Sequence, residues 1–156
     1  MNQPSPPISL REINADTVRS IIKLEVADDQ KHFVANNAVS LAQALFSPEA
    51  WYRAIYRGDE PVGFVMLHDE GKSTKPPEHP EIGVWRFMIA KQFQGQGLGK
   101  AALLQVIEHV RAQGVYPKLL LSYVPGPGCP EPFYRGLGFV PNGRMDAGEV
   151  VMEISV

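Results

Sequence analysis

The 156-residue sequence predicts one α+β domain, with about seven strands in a mixed, largely antiparallel sheet and helices on both faces. Three observations carry this. Apolar runs at 51–56 and 62–67 flank Gly58-Asp59-Glu60-Pro61, which reads as a hairpin. Phe87-Met88-Ile89-Ala90 is a short continuous apolar run, as a covered strand shows. An amphipathic helix then leads to a second apolar run at 118–123, so these two strands need one right-handed crossover.

The elements follow in order. Residues 2–7 are polar and proline-rich, so 1–7 read as a loose tail. Residues 8–13 alternate apolar and polar, a half-buried strand. Asn14 or Asp16 caps a helix through Val18, Ile21 and Ile22 to about Val26. Residues 28–37 are polar, with Phe33 and Val34 as anchors. Ser40 caps a second short helix holding Leu41, Ala44 and Leu45, stopped at Ser47-Pro48.

After the hairpin, residues 71–80 carry three prolines and read as a loop beside the next strand. Residues 81–89 are the fourth strand. Leu103, Val106, Ile107 and Val110 fall at i, i+3, i+4 and i+7 on one helix face, and Gly114 ends that helix. Residues 118–123 are an interior fifth strand. Residues 125–130 break the backbone, 131–137 make a short helix followed by Gly138, and 139–142 with 149–156 close the sheet.

Composition excludes several classes. With 44% hydrophobic and 21% charged residues the chain matches a globule with one core, residues 1–156. No apolar stretch approaches the roughly 20 residues of a membrane span, and the first residues have no signal-peptide pattern. The single Cys129 leaves no internal disulfide and suits a reducing, cytoplasmic setting. It has no basic neighbour in sequence and reads as structural. A formal charge of -2 supplies no basic field for nucleic acid. His32, His68, His79 and His109 share no metal-ligand spacing, so no metal is expected, and His109 reads as a surface residue.

Gln94-Gly95-Gln96-Gly97-Leu98-Gly99, with glycines at alternate positions, joins the fourth strand to the central helix. The first N–H groups of a helix lack intrahelical partners, and glycines let an anion approach them and the positive end of the dipole. The unit therefore predicts a phosphate-bearing ligand. Lys100, in the first turn, is unfavourable there unless an anion is bound. A P-loop is excluded: Gln94 stands where its first glycine belongs and Ala101 where its hydroxyl belongs. Gly97-x-Gly99-x-x-Ala102 matches the loose dinucleotide pattern, but residues 118–123 bring no acid for a ribose.

The string Gln94-x-x-Gly97-x-Gly99 after an apolar strand resembles motif A of the GNAT N-acetyltransferases. Pro132-Phe133-Tyr134-Arg135-Gly136-Leu137-Gly138-Phe139 resembles that family's closing FYxxLGF segment. With Trp85-Arg86-Phe87-Met88-Ile89 and the stretch at 23–31, the chain is most similar to the spermine/spermidine (diamine) acetyltransferases. The resemblance implies the acyl-CoA N-acyltransferase fold with its fourth and fifth strands splayed, and acetyl-CoA as donor. It also implies backbone contacts to the pantetheine arm from Phe87, Met88 and Ile89. Pyrophosphate contacts fall to Gln94, Gly95, Gln96, Gly97, Leu98, Gly99 and Lys100. Tyr134 becomes the general acid beside the cofactor sulfur; by spacing alone it could equally be a core tyrosine bonded to a carbonyl. Homodimerisation is also a family expectation.

Acetyl transfer needs a neutral amine, donors for the developing oxyanion and a proton for the leaving thiolate. No convincing serine–histidine–acid or cysteine–histidine set is present, which favours direct attack on the thioester. Glu81, just before the fourth strand, is a candidate base, although its register against the family pattern is inexact. Glu25 and Asp29 share a face if the first helix continues, and with Asp28 could grip a polyamine's second ammonium; a solvated helix end is the alternative. Arg86 is placed for the substrate groove or for solvent. Pro127 stands where many family members carry a cofactor-binding asparagine, leaving backbone amides near Gly126 and Gly128 as substitutes. The expected activity is acetylation of a small amine, a polyamine first. A protein N-terminus, an amino acid or an aminoglycoside are rival acceptors, and non-catalytic CoA binding or nucleotide binding are rival functions.

Overall fold

A computed structural model describes residues 6–156. Seven strands form one sheet: β1 (Ile8–Arg11), β2 (Ala50–Arg57), β3 (Glu60–Asp69), β4 (Ile82–Ile89), β5 (Lys118–Tyr123), β6 (Val140–Asp146) and β7 (Glu149–Ser155). Their order is β1-β2-β3-β4-β5-β7-β6, and every pairing is antiparallel except β4 with β5. The helices are α1 (Val18–Ile22), α2 (Asn37–Ala44), α3 (Leu98–Gln113) and α4 (Glu131–Gly136). Among the described residues no helix is long and apolar enough to cross a membrane.

The period of two along β3 divides the core. Val65 and Leu67 face one way and pack with Leu103, Val106, Ile107 and Val110 of α3. Phe64 and Met66 face the other way and pack with Ile21 of α1 and with Leu41 and Ala44 of α2. Gly114 ends α3 at φ 65, the left-handed conformation that favours glycine.

Several boundaries differ from the sequence expectation. The tail expected over 1–7 lies outside the described residues at 1–5, and Pro7 is tied down, its carbonyl accepting from Gly58 N at 3.0 Å. The first helix stops at Ile22 rather than near Val26, and Ala27 is extended at φ -62, ψ 154. Local periodicity favoured a longer helix, but the freed backbone is used by a distant segment just past β4: Glu25 O accepts from Lys91 N at 2.8 Å. Asn36, not Ser40, caps α2, its side chain accepting from Val39 N at 2.8 Å. Ser40 is fully buried inside the helix. His109 is not a simple surface residue: it stacks on Trp51 at 4.4 Å, and burial lowers its pKa first of all.

Gly63 of β3 sits opposite Ile89 of β4. A Cβ there would collide with the backbone oxygen of Met88, which cannot move without parting the two strands. Gly63→Ala is expected to destabilise the fold by about 1–3 kcal/mol, the usual range for overpacking. A thermal melt showing wild-type stability would contradict that close approach.

Candidate active site

The site begins with a defect in β4. Met66 pairs with Arg86 and Leu67 with Val84, so Trp85 has no partner on β3. Such a bulge bends its strand and increases the local twist. On the other side, Ile82, Gly83 and Val84 pair with Leu119, Leu120 and Leu121, and the pairing then stops at the level of the bulge. From Trp85 to Ile89 the β5-facing edge of β4 is open, ready to pair with an extended ligand. One position is already used, because Gln94 Nε2 donates to Ile89 O at 2.8 Å.

Beyond Ile89 the chain makes the glycine loop. Gly95 and Gly97 have φ 78, and each would point a Cβ into open space. Gly97 precedes α3 and offers no side-chain cap, and the first turn of α3 holds no acid. The start of this 16-residue helix is therefore a bare set of N–H donors at the positive end of a dipole. The loop is braced by side chains at its flanks. The carboxamides of Gln94 and Gln30 hydrogen-bond reciprocally at 2.9 and 3.1 Å, and Gln96 Oε1 accepts from Arg57 Nη1 at 2.7 Å.

A cleft of about 680 Å³ lies over this loop. Phe87, Met88, Ile89, Gln94, Gly95, Gly97, Leu98, Gly99, Lys100 and Tyr134, all expected to hold the cofactor, line it. Gln96 does not line it, since its side chain turns to Arg57. Gly128 and Pro130 form part of the wall, so the segment around Pro127 faces the cleft mainly through Gly128.

A second cleft, of about 900 Å³, shares Phe33, Val34, Phe87 and Tyr134 with the first. Tyr134 thus stands at their junction, only 8% exposed. Burial alone pushes its phenol up to about 12, so it keeps its proton throughout the neutral range. Burial is the cause of that shift, with no charged neighbour contributing.

Carboxylates line the second cleft: Glu70, Glu81, Asp146 and Glu149. Glu81 Oε2 accepts from Arg144 Nη1 at 2.8 Å, and Glu70 Oε1 accepts from Glu81 N at 2.8 Å. Glu149 Oε2 accepts from Ser122 Oγ at 3.1 Å. Ser122 follows Leu121, the partner of Val84, which places this carboxylate level with the bulge. Glu70, Ser122, Asp146 and Glu149 were not identified from the sequence, because no local spacing links residues on different strands. Arg86 lines the same cleft, its Nη1 and Nη2 donating to Trp85 O and Gln43 Oε1, and desolvation lowers its pKa foremost.

The structure does not bring the remaining acidic set together as expected. With the helix ended at Ile22, Glu25 and Asp29 share no helical face. Lys31 instead gathers Asp28 at 3.0 Å and Glu25 at 4.0 Å, and Asp28 and Asp29 line neither cleft. Among the described residues no group of three or more potential ligands is placed to hold a metal ion.

Residues 16–139 match the acetyltransferase (GNAT) family. The chain belongs to that family. The probable spermine N(1)-acetyltransferase of Bacillus subtilis subsp. natto is 29% identical over 150 residues, covering 93% of this chain and 96% of the relative. The spermine/spermidine N(1)-acetyltransferase of Bacillus subtilis strain 168 is 28% identical over the same shares. In solved structures the same fold occurs in the PaiA N-acetyltransferase of Thermoplasma acidophilum in complex with coenzyme A. That protein is 13% identical, with TM-score 0.68, over 96% of this chain and 99% of that one. It occurs also in the aminoglycoside acetyltransferase AAC(6')-Ib in complex with coenzyme A, 14% identical, with TM-score 0.75, over 95% of this chain and 94% of that one. The protein is thus an acetyltransferase of the GNAT family.

Gly99 separates cradle from fold. A Cβ there would meet Phe133 at 3.4 Å and Ile89 at 3.6 Å, ordinary contacts, yet it would stand in the cleft. Gly99→Ala is expected to leave the melting temperature unchanged or raised, since alanine favours helix by up to about 1 kcal/mol. It is expected to weaken coenzyme A at least about tenfold, roughly 1.4 kcal/mol, in a calorimetric titration.

Proposed function

We propose that the protein transfers an acetyl group from acetyl-CoA to a primary amine by direct attack, and that the acceptor is a polyamine. The observation that carries this is the junction at Tyr134. There a cleft floored by a bare helix start meets a cleft lined by four carboxylates. The first suits a diphosphate, the second a cation. The relatives named for spermine and spermidine support the acceptor class.

In this reading the diphosphate lies on the N–H groups around Gly97 to Gly99, and the pantetheine arm pairs with the open edge of β4. The thioester reaches the bulge beside Tyr134. The amine nitrogen attacks the acetyl carbon, a C–N bond forms, and the C–S bond breaks as the tetrahedral intermediate collapses. Tyr134 gives its proton to the departing sulfur. Its high pKa suits a group that must remain an acid at neutral pH.

The nitrogen's proton goes to Glu149, held level with the bulge by Ser122. Glu81 is assigned acceptor binding in place of the base role. It lies four residues before the bulge at Trp85, roughly 13 Å along a strand at about 3.3 Å per residue. At that distance it suits the second ammonium of a long acceptor.

Incubation with acetyl-CoA and a panel of amines tests the reading: spermidine and spermine are expected to release coenzyme A with mono-acetylated product. Tight coenzyme A binding with no turnover on any amine would overturn it. Tyr134→Phe is expected to lower kcat roughly a hundredfold or more, as loss of a general acid does. Its affinity for coenzyme A should stay within about twofold, or under about 0.5 kcal/mol. Glu149→Gln is expected to lower kcat, and Glu81→Gln to raise KM for polyamines; the reverse pattern would exchange the two roles.

A further inference from the structure

Arg144 has no part in the reaction just described, yet its position is unusual. It belongs to β6, the outermost strand, and Glu81 precedes β4, with β5 and β7 lying between in the sheet. The β6–β7 ladder is interrupted: Pro141 pairs with Met152 and Met145 with Val150. Asn142, Gly143 and Arg144 therefore stand opposite Val151 alone. Gly143 takes φ 84, and Asn142 Oδ1 accepts from Arg144 N at 2.9 Å. This bulge lifts Arg144 off the ladder and carries its guanidinium over the acceptor cleft to Glu81.

The other cations lining that cleft are engaged elsewhere. Lys31 faces Asp28 and Glu25, and Arg86 is held by Trp85 O and Gln43. Arg144 alone among them makes a salt bridge with one of the cleft's own acids, and Asp146 and Glu70 add to the pull on it. The pair is half-exposed, 56% for the Arg144 side chain and 44% for Glu81, so it is weak and exchanges readily. The Glu70 carboxylate and the Glu81 backbone do not depend on it for position. Glu70 N donates to Glu81 O at 3.0 Å while Glu70 Oε1 accepts from Glu81 N, which locks the two residues together.

We infer that Arg144 is a specificity-determining residue: it occupies the far carboxylates of the unliganded acceptor cleft, and the second ammonium of a polyamine takes its place. This rests on the polyamine reading above. An acceptor with one amine has no group to make the exchange, so Arg144 competes with long polyamines selectively.

The test compares KM for spermidine with KM for a simple alkyl monoamine in the wild type, Arg144→Gln and Arg144→Lys. The monoamine-to-spermidine KM ratio is expected to rise roughly two- to fivefold in Arg144→Gln, the range a half-exposed ion pair spans. Arg144→Lys, which keeps the charge, should fall between. Arg111→Gln controls for net charge, since Arg111 pairs with Glu108 on α3 and lines neither cleft. Its ratio should match the wild type. An unchanged or lower ratio in Arg144→Gln, or an equal rise in Arg111→Gln, overturns the inference. If the wild type acetylates monoamines but no polyamine, the acceptor reading falls and takes the inference with it. If it acetylates spermidine but the ratio does not move, only Arg144's role falls.

Discussion

The parting of β4 from β5 is the constraint on which the rest depends. A sheet satisfies its backbone groups by pairing every strand, and leaving an edge open in its middle is costly unless something else pairs there. Here one unpaired residue, Trp85, bends β4 at the level where the parallel pairing ends. The opening lets two clefts meet at one tyrosine. Without it the cleft over the glycine loop and the carboxylate cleft would not meet at Tyr134.

The two ends of the site solve different electrostatic problems. At the glycine loop the protein offers neutral donors, fixed by the helix and braced by Gln30, Gln94 and Arg57. At the acceptor end the carboxylates repel one another, and the fold offsets this with Arg144 and Ser122. Arg144 lowers the repulsion within the cleft, and in the proposed reading it gives way to the acceptor. Tyr134, between them, is kept neutral by burial and is therefore an acid available at ordinary pH.

Much of this was legible locally. The alternate glycines, the helical stripe from Leu103 to Val110 and Gly114 are written within one stretch of chain, because each obeys short-range steric and hydrogen-bond rules. Other features misled for the same reason. The continuation of α1 toward Val26 follows local propensity, but Glu25 O is claimed by Lys91 N, an interaction between distant segments. Ser40 satisfies a capping rule, yet Asn36 is four residues earlier and the serine is needed inside the core. Gly63 had no local signature because the atom it avoids belongs to another strand.

The sequence by itself determined the family, the glycine loop before α3 and the motif that holds Tyr134, since these rest on contiguous residues whose backbone geometry is locally imposed. Tertiary structure alone decided which carboxylates line one cleft. Glu70, Glu81, Asp146 and Glu149 come from separate elements, and only the register of β4, β5, β7 and the bulged β6 brings them to one cleft. Charge acts through space, not along the chain, so no reading of neighbours in sequence could have assembled them.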